Sequence, residues 1–374
     1  MGGTYSRSKY DKTKYHVKYF DEMIPPDAAS GKTIAVTGAT ANGLGLWCAK
    51  HAMLLGAKRV ILLNRKSARS EAAVEEVTQF ARDSGKQSCQ VVAVECDLLS
   101  FKSVRAAAAE LNAFCKDSGL DVLCLNAGTM AAPDETTTDG YNREAQVNVL
   151  AQQLLLKEVF QSLKKASDLN GESRIVQHSS GARHIPKAYS KGKLVKEFFE
   201  KMHYSDEFKL PLGLSGDKVN SGMVALGPAW RRYGQTKLAN SMLTELYREK
   251  LTQKGYHNIK AVVASPGLAA SELQSTTNGT FRTMKAWECN VAFFLAGQGV
   301  RDGSLPITNA CFHPDVQSGD FYEPKTFTMY GPPVPIATGG IYKDPKGEKD
   351  TISDPETKGM MWEVLGEACG GEVF

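Results

Sequence analysis

Thr33-Ile34-Ala35-Val36-Thr37-Gly38-Ala39-Thr40-Ala41-Asn42-Gly43-Leu44-Gly45-Leu46 decides the reading of this chain. A β-branched, apolar run passes without a spacer into a glycine-rich turn and then into a helical pattern. Glycines let backbone amides approach an anion, and the start of a helix offers unpaired N–H groups with a partial positive charge. In this order the three pieces make a cradle for the pyrophosphate of a dinucleotide, with Gly38, Thr40, Asn42, Gly43, Leu44 and Gly45 as its contacts. Four residues separate Gly38 from Gly43, one more than the usual pattern, so the turn must bulge or the amides must shift by one.

Outward from the cradle, short β-branched runs at 33–37, 59–63, 91–95, 122–125, 174–177 and 259–264 alternate with helical periodicity at 44–55, 71–81, 103–115, 141–163 and 233–251. Strands separated by helices cannot pair as hairpins. They join through right-handed crossovers into a parallel sheet covered on both faces, so the expected fold is α/β, a doubly wound parallel sheet of the Rossmann type in a single domain over 31–329. Residues 183–229 interrupt the rhythm. Within them Leu194, Val195, Phe198, Phe199 and Met202 recur at helical spacing among lysines and glutamates, which predicts an inserted amphipathic helix. Its use is either packing on the domain edge or a lid over the substrate. Residues 330–374 are rich in Gly, Pro and charge and are expected to be extended as far as a short helix near Met360.

The end of the second strand selects the dinucleotide. A free ribose 2′-hydroxyl calls for a carboxylate acceptor there, and a 2′-phosphate calls for cations. The strand ends Leu62-Leu63-Asn64-Arg65-Lys66, with no acid and two cations, so Asn64 and Arg65 point to NADP(H) over NAD(H); the bland alternative is an ordinary basic loop. Asp97 and Leu98 follow the third strand, where a side-chain acceptor can meet the adenine amino group. Asn126, Ala127 and Gly128 close the fourth, where small residues let the chain pass close to the adenosine. Each also has a plain reading as a cap or turn residue.

Tyr233 and Lys237 stand four residues apart in a helical segment and so share a face. A phenol titrates near 10, but a neighbouring ammonium and a cationic nicotinamide ring would favour phenolate and bring the group toward neutral pH.

With these pieces in order, residues 32–324 resemble the short-chain dehydrogenase/reductase family. The resemblance rests on the glycine turn, Asp97-Leu98, Asn126-Ala127-Gly128, Asn148, Arg174-Ile175-Val176 leading to Ser179-Ser180, Tyr233-Gly234-Gln235-Thr236-Lys237 and Ser265-Pro266-Gly267. It implies that Tyr233 is the general acid for carbonyl reduction, that Lys237 lowers its pKa and holds the nicotinamide ribose, that Asn148 supports a proton relay and that Ser180, rather than Ser179, polarises the substrate oxygen. Pro266, Gly267 and Leu268 would complete the cofactor contacts, and no metal is implied. Thr236 replaces the usual serine before the lysine. Tyr233 to Asn240, Pro266 to Leu273 and Gly319 to Pro324 are most similar to the retinol-dehydrogenase-like branch, which handles apolar alcohols and aldehydes such as retinoids, steroids and lipid aldehydes. The long segment before Tyr233 and Met361-Trp362-Glu363-Val364 are similar to the light-dependent protochlorophyllide reductases, a minor alternative, because Leu238-Ala239-Asn240 lacks their cysteine. Family analogy also implies a homodimer or larger assembly through the helices at 141–163 and 233–251.

The expected function is an NADP(H)-dependent oxidoreductase for a bulky apolar carbonyl or alcohol, with Phe198, Phe199 and residues 276–294 as apolar walls. The competing class is a nucleotide-bound scaffold that has kept the fold as an interaction module. The intact Ser180, Tyr233, Lys237 and Asn148 set discriminates between them, since a scaffold has no use for a tuned phenol.

Composition narrows the rest. The 374 residues are 42% hydrophobic and 23% charged, as a globular protein requires. Arg7, Lys9, Lys12, Lys14 and Lys18 against Asp11 put the whole net charge of +4 in the first twenty residues. The body is therefore neutral, which argues against a nucleic-acid footprint. Met1-Gly2-Gly3-Thr4-Tyr5-Ser6 fits a myristoylation pattern, and Gly2 lipidation beside a basic arm (1–30) would give a reversible membrane contact; the other reading is a solvated or docking arm. Eight cysteines without a CxxC pair fit a reducing, cytoplasmic setting better than zinc sites or disulfides.

Overall fold

The computed structural model describes residues 16–202, 209–217, 227–269, 298–326, 329–335 and 352–374. The lipidation motif at Gly2, residues 1–15 of the basic arm and the stretch 276–294 lie outside the described residues. Among the described residues no helix is long and apolar enough to cross a membrane.

Eight strands form one sheet in the order β3-β2-β1-β4-β5-β6-β7-β8. They are β1 Thr33–Thr37, β2 Arg59–Asn64, β3 Gln90–Glu95, β4 Val122–Leu125, β5 Ser173–His178, β6 Ile259–Ala264, β7 Phe321–Thr326 and β8 Tyr330–Pro335. The first seven run parallel, and β8 returns antiparallel on β7. Every residue of β1, β4 and β5 is buried, and β1 and β4 accordingly read as short apolar runs; β3, at the edge, buries only Val94. The long helices are α1 His16–Met23, α2 Leu44–Leu54, α3 Ala68–Asp83, α4 Phe101–Phe114, α5 Ala151–Asn170, α6 Pro228–Gln253, α7 Leu305–Phe312 and α8 Pro355–Cys369. This is the doubly wound α/β arrangement expected.

Two apolar cores lie on opposite faces of the sheet. One packs α2, α3 and α7; the other packs α4, α5, α6 and α8. In the first, three cysteines distant in sequence, Cys48, Cys124 and Cys311, bring their sulfurs within 4.8 Å of one another, all buried. Local sequence sets the ends of the helices: Ser67 caps α3 in a reciprocal pair with Ser70, Ser100 accepts from Ser103 N at the start of α4, and Gly171, at φ 81°, ends α5.

The structure corrects three expectations. The sheet runs past position 329, because 330–335 is a strand and not an extended tail. The helical stretch at 141–163 is split: a turn at Arg143–Ala145 passes into a π-helix at Gln146–Leu150 before α5 begins. Residues 194–202 hold only a one-turn helix, Lys196–Phe199, and Phe198 and Phe199 are fully buried in the core beside α8, so they are not walls of the crevice described below. The helix α8 packs on both α5 and α6. There Phe374 stacks on Phe160 at 5.0 Å and meets Tyr247 edge-on at 5.1 Å.

Candidate active site

Most of the sequence-derived site positions line a crevice of about 430 Å³ at the carboxyl ends of β1, β2, β3, β4, β5 and β6. A parallel sheet with crossovers on both faces opens such a crevice where its strand order reverses, here between β1 and β4.

The cradle is built by close approach. Gly38 has φ 67°, and a Cβ there would lie 2.8 Å from Ala127 Cα. At Gly45 a Cβ would lie 2.5 Å from Asn126 Nδ2, the atom that donates to Thr37 O at 3.0 Å and Gly38 O at 3.3 Å. The extra residue of the turn is taken up by Asn42, which adopts φ 60°, and by Gly43 N donating to Thr40 O at 2.9 Å. No side chain caps the start of α2, which leaves its first amides facing the crevice. Asn126 is thus a brace between strands as well as a lining residue, and Ala127 N donates to Thr37 Oγ1 at 3.0 Å.

At the end of β2, Asn64 donates through Nδ2 to Ala39 O at 3.0 Å, bracing the turn, while its buried Oδ1 has no hydrogen-bond partner. Arg65 is exposed on the rim. Asp97 Oδ1 accepts from Leu99 N at 3.0 Å, and Leu98 lines the wall beside it. The donors, the orphaned Asn64 oxygen and the cradle that only glycines leave open fit a nicotinamide dinucleotide.

On the other side of the crevice, Ser180, Tyr233 and Lys237 line one wall. The Tyr233 phenol lies near the Ser180 hydroxyl, whose oxygen accepts from Ala182 N at 3.3 Å. Ser180 belongs to the turn after β5, and Arg183 ties that turn to β7 by donating to Ser180 O at 3.2 Å and pairing with Glu323 at 2.6 Å. Ser179 points the other way, its hydroxyl donating to Lys237 O at 2.8 Å. Lys237 Nζ donates to His178 O at 2.9 Å and sits 5.6 Å from the centre of the Tyr233 ring. Burial pushes the Lys237 ammonium down to about 8, and the buried carboxyl of Glu144 opposes that shift. Burial pushes the Tyr233 phenol above its usual range, and Ser180 only partly offsets it.

Asn148 lies in the π-helix behind Gly128. Its Oδ1 accepts from Thr129 N at 2.7 Å, and its Nδ2 donates to Thr129 O at 2.8 Å and Thr236 Oγ1 at 3.0 Å. It does not line the crevice, and neither do Asn42, Gly45 and Leu268. Leu268 instead pairs its backbone with Met329 O and Gln298 N, each at 2.9 Å, while Pro266 and Gly267 do line the opening.

Sequence reasoning missed Ser67, Arg69, Met130, Arg143, Val147 and His178 as lining residues. Arg69, whose Nη2 donates to Thr40 Oγ1 at 3.3 Å, follows the Ser67 cap and was findable from that capping signal. His178 is held neutral, burial and then Lys237 pushing it down to about 3, and its Nδ1 sits 3.0 Å from Asn126 Oδ1.

The geometry agrees with relatedness. Residues 32–192 match the short chain dehydrogenase family model. The chain is 25% identical to the short-chain dehydrogenase/reductase prx1 of Penicillium rubens over 338 residues, 90% of this chain and 85% of that protein. It is 28% identical to retinol dehydrogenase 12 of Mus musculus over 264 residues, 71% of this chain and 69% of that protein. Among solved structures, an uncharacterized protein from Mycobacterium paratuberculosis superposes with a TM-score of 0.57 at 22% identity, covering 92% of this chain and 96% of that one. The chain belongs to the short-chain dehydrogenase/reductase family, on its retinol-dehydrogenase-like branch. It is a hydride-transferring oxidoreductase that uses a nicotinamide cofactor and a small-molecule substrate.

Proposed function

We propose that this protein is an NADP(H)-dependent reductase or dehydrogenase of bulky apolar carbonyls or alcohols, of retinoid, steroid or lipid-aldehyde type. The observation that carries the reading is that Ser180, Tyr233 and Lys237 line the same crevice as the glycine cradle. When bound, the nicotinamide supplies or accepts the hydride. Ser180 and Tyr233 would hold the carbonyl oxygen by two hydrogen bonds that shorten as charge develops there. Tyr233 carries a proton held firmly by its burial, so in the reducing direction it acts as the acid. Lys237 stabilises the phenolate left behind, and Asn148 fixes its helix against that of Tyr233 through Thr236. Arg65, Ser67 and Arg69 surround the end of β2 with no carboxylate among them, which supports a 2′-phosphate. Leu98, Leu99, Met130, Val147 and Ala269 give the crevice apolar surface.

The test follows NADPH absorbance with retinal, a steroid ketone, a long-chain aldehyde and a quinone, for wild type and Tyr233→Phe. Turnover in wild type that falls by about three orders of magnitude in the variant supports the reading. Tight NADPH binding with no turnover on any substrate would favour the scaffold instead.

A further inference from the structure

Arg232 immediately precedes Tyr233, and its side chain is fully buried. Three separate segments converge on its guanidinium. Nη1 donates to Leu214 O at 2.6 Å and Gly216 O at 2.8 Å, in the inserted region. Nη2 donates to Ala132 O at 2.9 Å, in the loop after β4 that carries the lining residues Thr129 and Met130. Nε faces Glu144 Oε2 at 4.0 Å, in the turn that leads into the π-helix of Asn148.

Further bonds knit these segments to one another. Asp134 N donates to Asp217 Oδ1 at 2.6 Å, and Gly216 N donates to Asp134 Oδ2 at 2.7 Å. Asn142 Nδ2 donates to Asp134 Oδ1 at 3.0 Å while Asn142 Oδ1 accepts from Glu144 N at 2.9 Å, capping the turn. Asp134 and Asp217 stand 3.6 and 3.5 Å from the guanidinium, so three acids surround one cation. Ala131 holds φ 47°, a left-handed backbone that a residue with a Cβ rarely adopts, and this keeps the loop turned toward Arg232.

We infer that Arg232 is a positioning residue for the reaction: its planar fork locks the loop after β4, the lead-in to the π-helix and residues 209–217 to the start of the catalytic helix, and so sets Tyr233 against the substrate wall. The inference rests on the reading of Tyr233 as the acid. Desolvating an arginine is costly unless its donors are met, and here four carbonyl and carboxylate oxygens meet the two terminal nitrogens. A lysine can reach one of these segments at a time but cannot bridge all three. Nothing in the clamp touches the cradle at β1 or the rim at β2, so losing it is expected to spare cofactor binding.

The experiment compares wild type, Arg232→Lys and Arg232→Met by three readouts: amide exchange at Leu214 and Gly216, NADPH affinity, and kcat and KM for decanal or retinal. In Arg232→Met, exchange at the two amides is expected to rise at least tenfold and kcat to fall by about tenfold to a hundredfold, as for a small displacement of a reacting group, with NADPH affinity held within about threefold. Arg232→Lys should fall between the two. Unchanged exchange overturns the clamp, as does a kcat that drops only in step with NADPH affinity and thermal stability, which would mark general loosening. Unchanged kcat with released amides overturns the positioning role. If wild type turns over neither substrate, the reductase reading fails on its own, and the exchange data still decide whether the clamp exists.

Discussion

Asn148 and Thr236 meet at 3.0 Å, amide to hydroxyl, and the same hydroxyl donates to Tyr233 O at 2.8 Å. Thr236, between Tyr233 and Lys237, is therefore the joint between the π-helix and α6. Thr236→Val keeps the shape but leaves the Asn148 amide and the Tyr233 carbonyl without that partner in a dry interior. A loss of about 1–3 kcal/mol is expected, read by urea unfolding, with Thr236→Ser close to wild type.

Gly45 is expected to tolerate no side chain. An alanine Cβ would displace Asn126 Nδ2 and press on Gly38 O at 3.2 Å, breaking the two bonds that hold the cradle to β4. Gly45→Ala should lower the melting temperature, with a cost of about 1–3 kcal/mol, and weaken NADPH binding by tenfold or more, measured by tryptophan fluorescence quenching.

Cofactor choice is expected to turn on Arg65. Reversing its charge removes an attraction to a 2′-phosphate and supplies an acceptor for a 2′-hydroxyl. Arg65→Asp should shift the ratio of NADPH to NADH affinity by about tenfold or more toward NADH, which is about 1.4 kcal/mol of discrimination. An unchanged ratio would remove the basis for NADP(H).

Two buried groups make opposite marks on stability as pH changes. Burial raises the Glu144 carboxyl from 4.5 to about 8, so between those values the folded chain holds a proton the unfolded chain has lost, and stability falls as pH rises. Burial lowers Lys237 from 10.5 to about 8, so above about 8 the unfolded chain holds the extra proton and stability rises again. Chemical denaturation across pH should show Glu144→Gln losing the decline between about 5 and 8, a slope of at most about 1.4 kcal/mol per pH unit. Lys237→Met should lose the recovery above it.

The cradle, the strand ends and the placement of Tyr233 and Lys237 on one wall were legible because each is a local pattern: a glycine turn between strand and helix, or two residues one helical turn apart. The hairpin of β7 and β8 was hidden by Pro332, Pro333 and Pro335, which read as an extended tail. Prolines are tolerated here because β8 pairs on one side only, at the outer edge of the sheet. The π-helix at Gln146–Leu150 was masked because one extra residue per turn hardly disturbs the apolar period of the stretch around it. Phe198 and Phe199 were assigned correctly as apolar but to the wrong cavity, since periodicity marks a buried face without naming what buries it. Arg232 and Glu144 looked like ordinary charged residues; their partners come from segments up to 100 positions away, at Ala132, and only the fold brings them together.

The last helix has a consequence for how the protein is made. Met361, Val364, Leu365 and Cys369 are interior residues of the same core as Leu154, Leu243 and Tyr247, and Lys157 reaches the main chain at Cys369 and Gly370. While a ribosome is still extending the nascent chain through this region, the outer flanks of α5 and α6 are without their cover. Maturation of that half of the molecule must therefore wait until residues 355–374 have emerged to cover the two flanks.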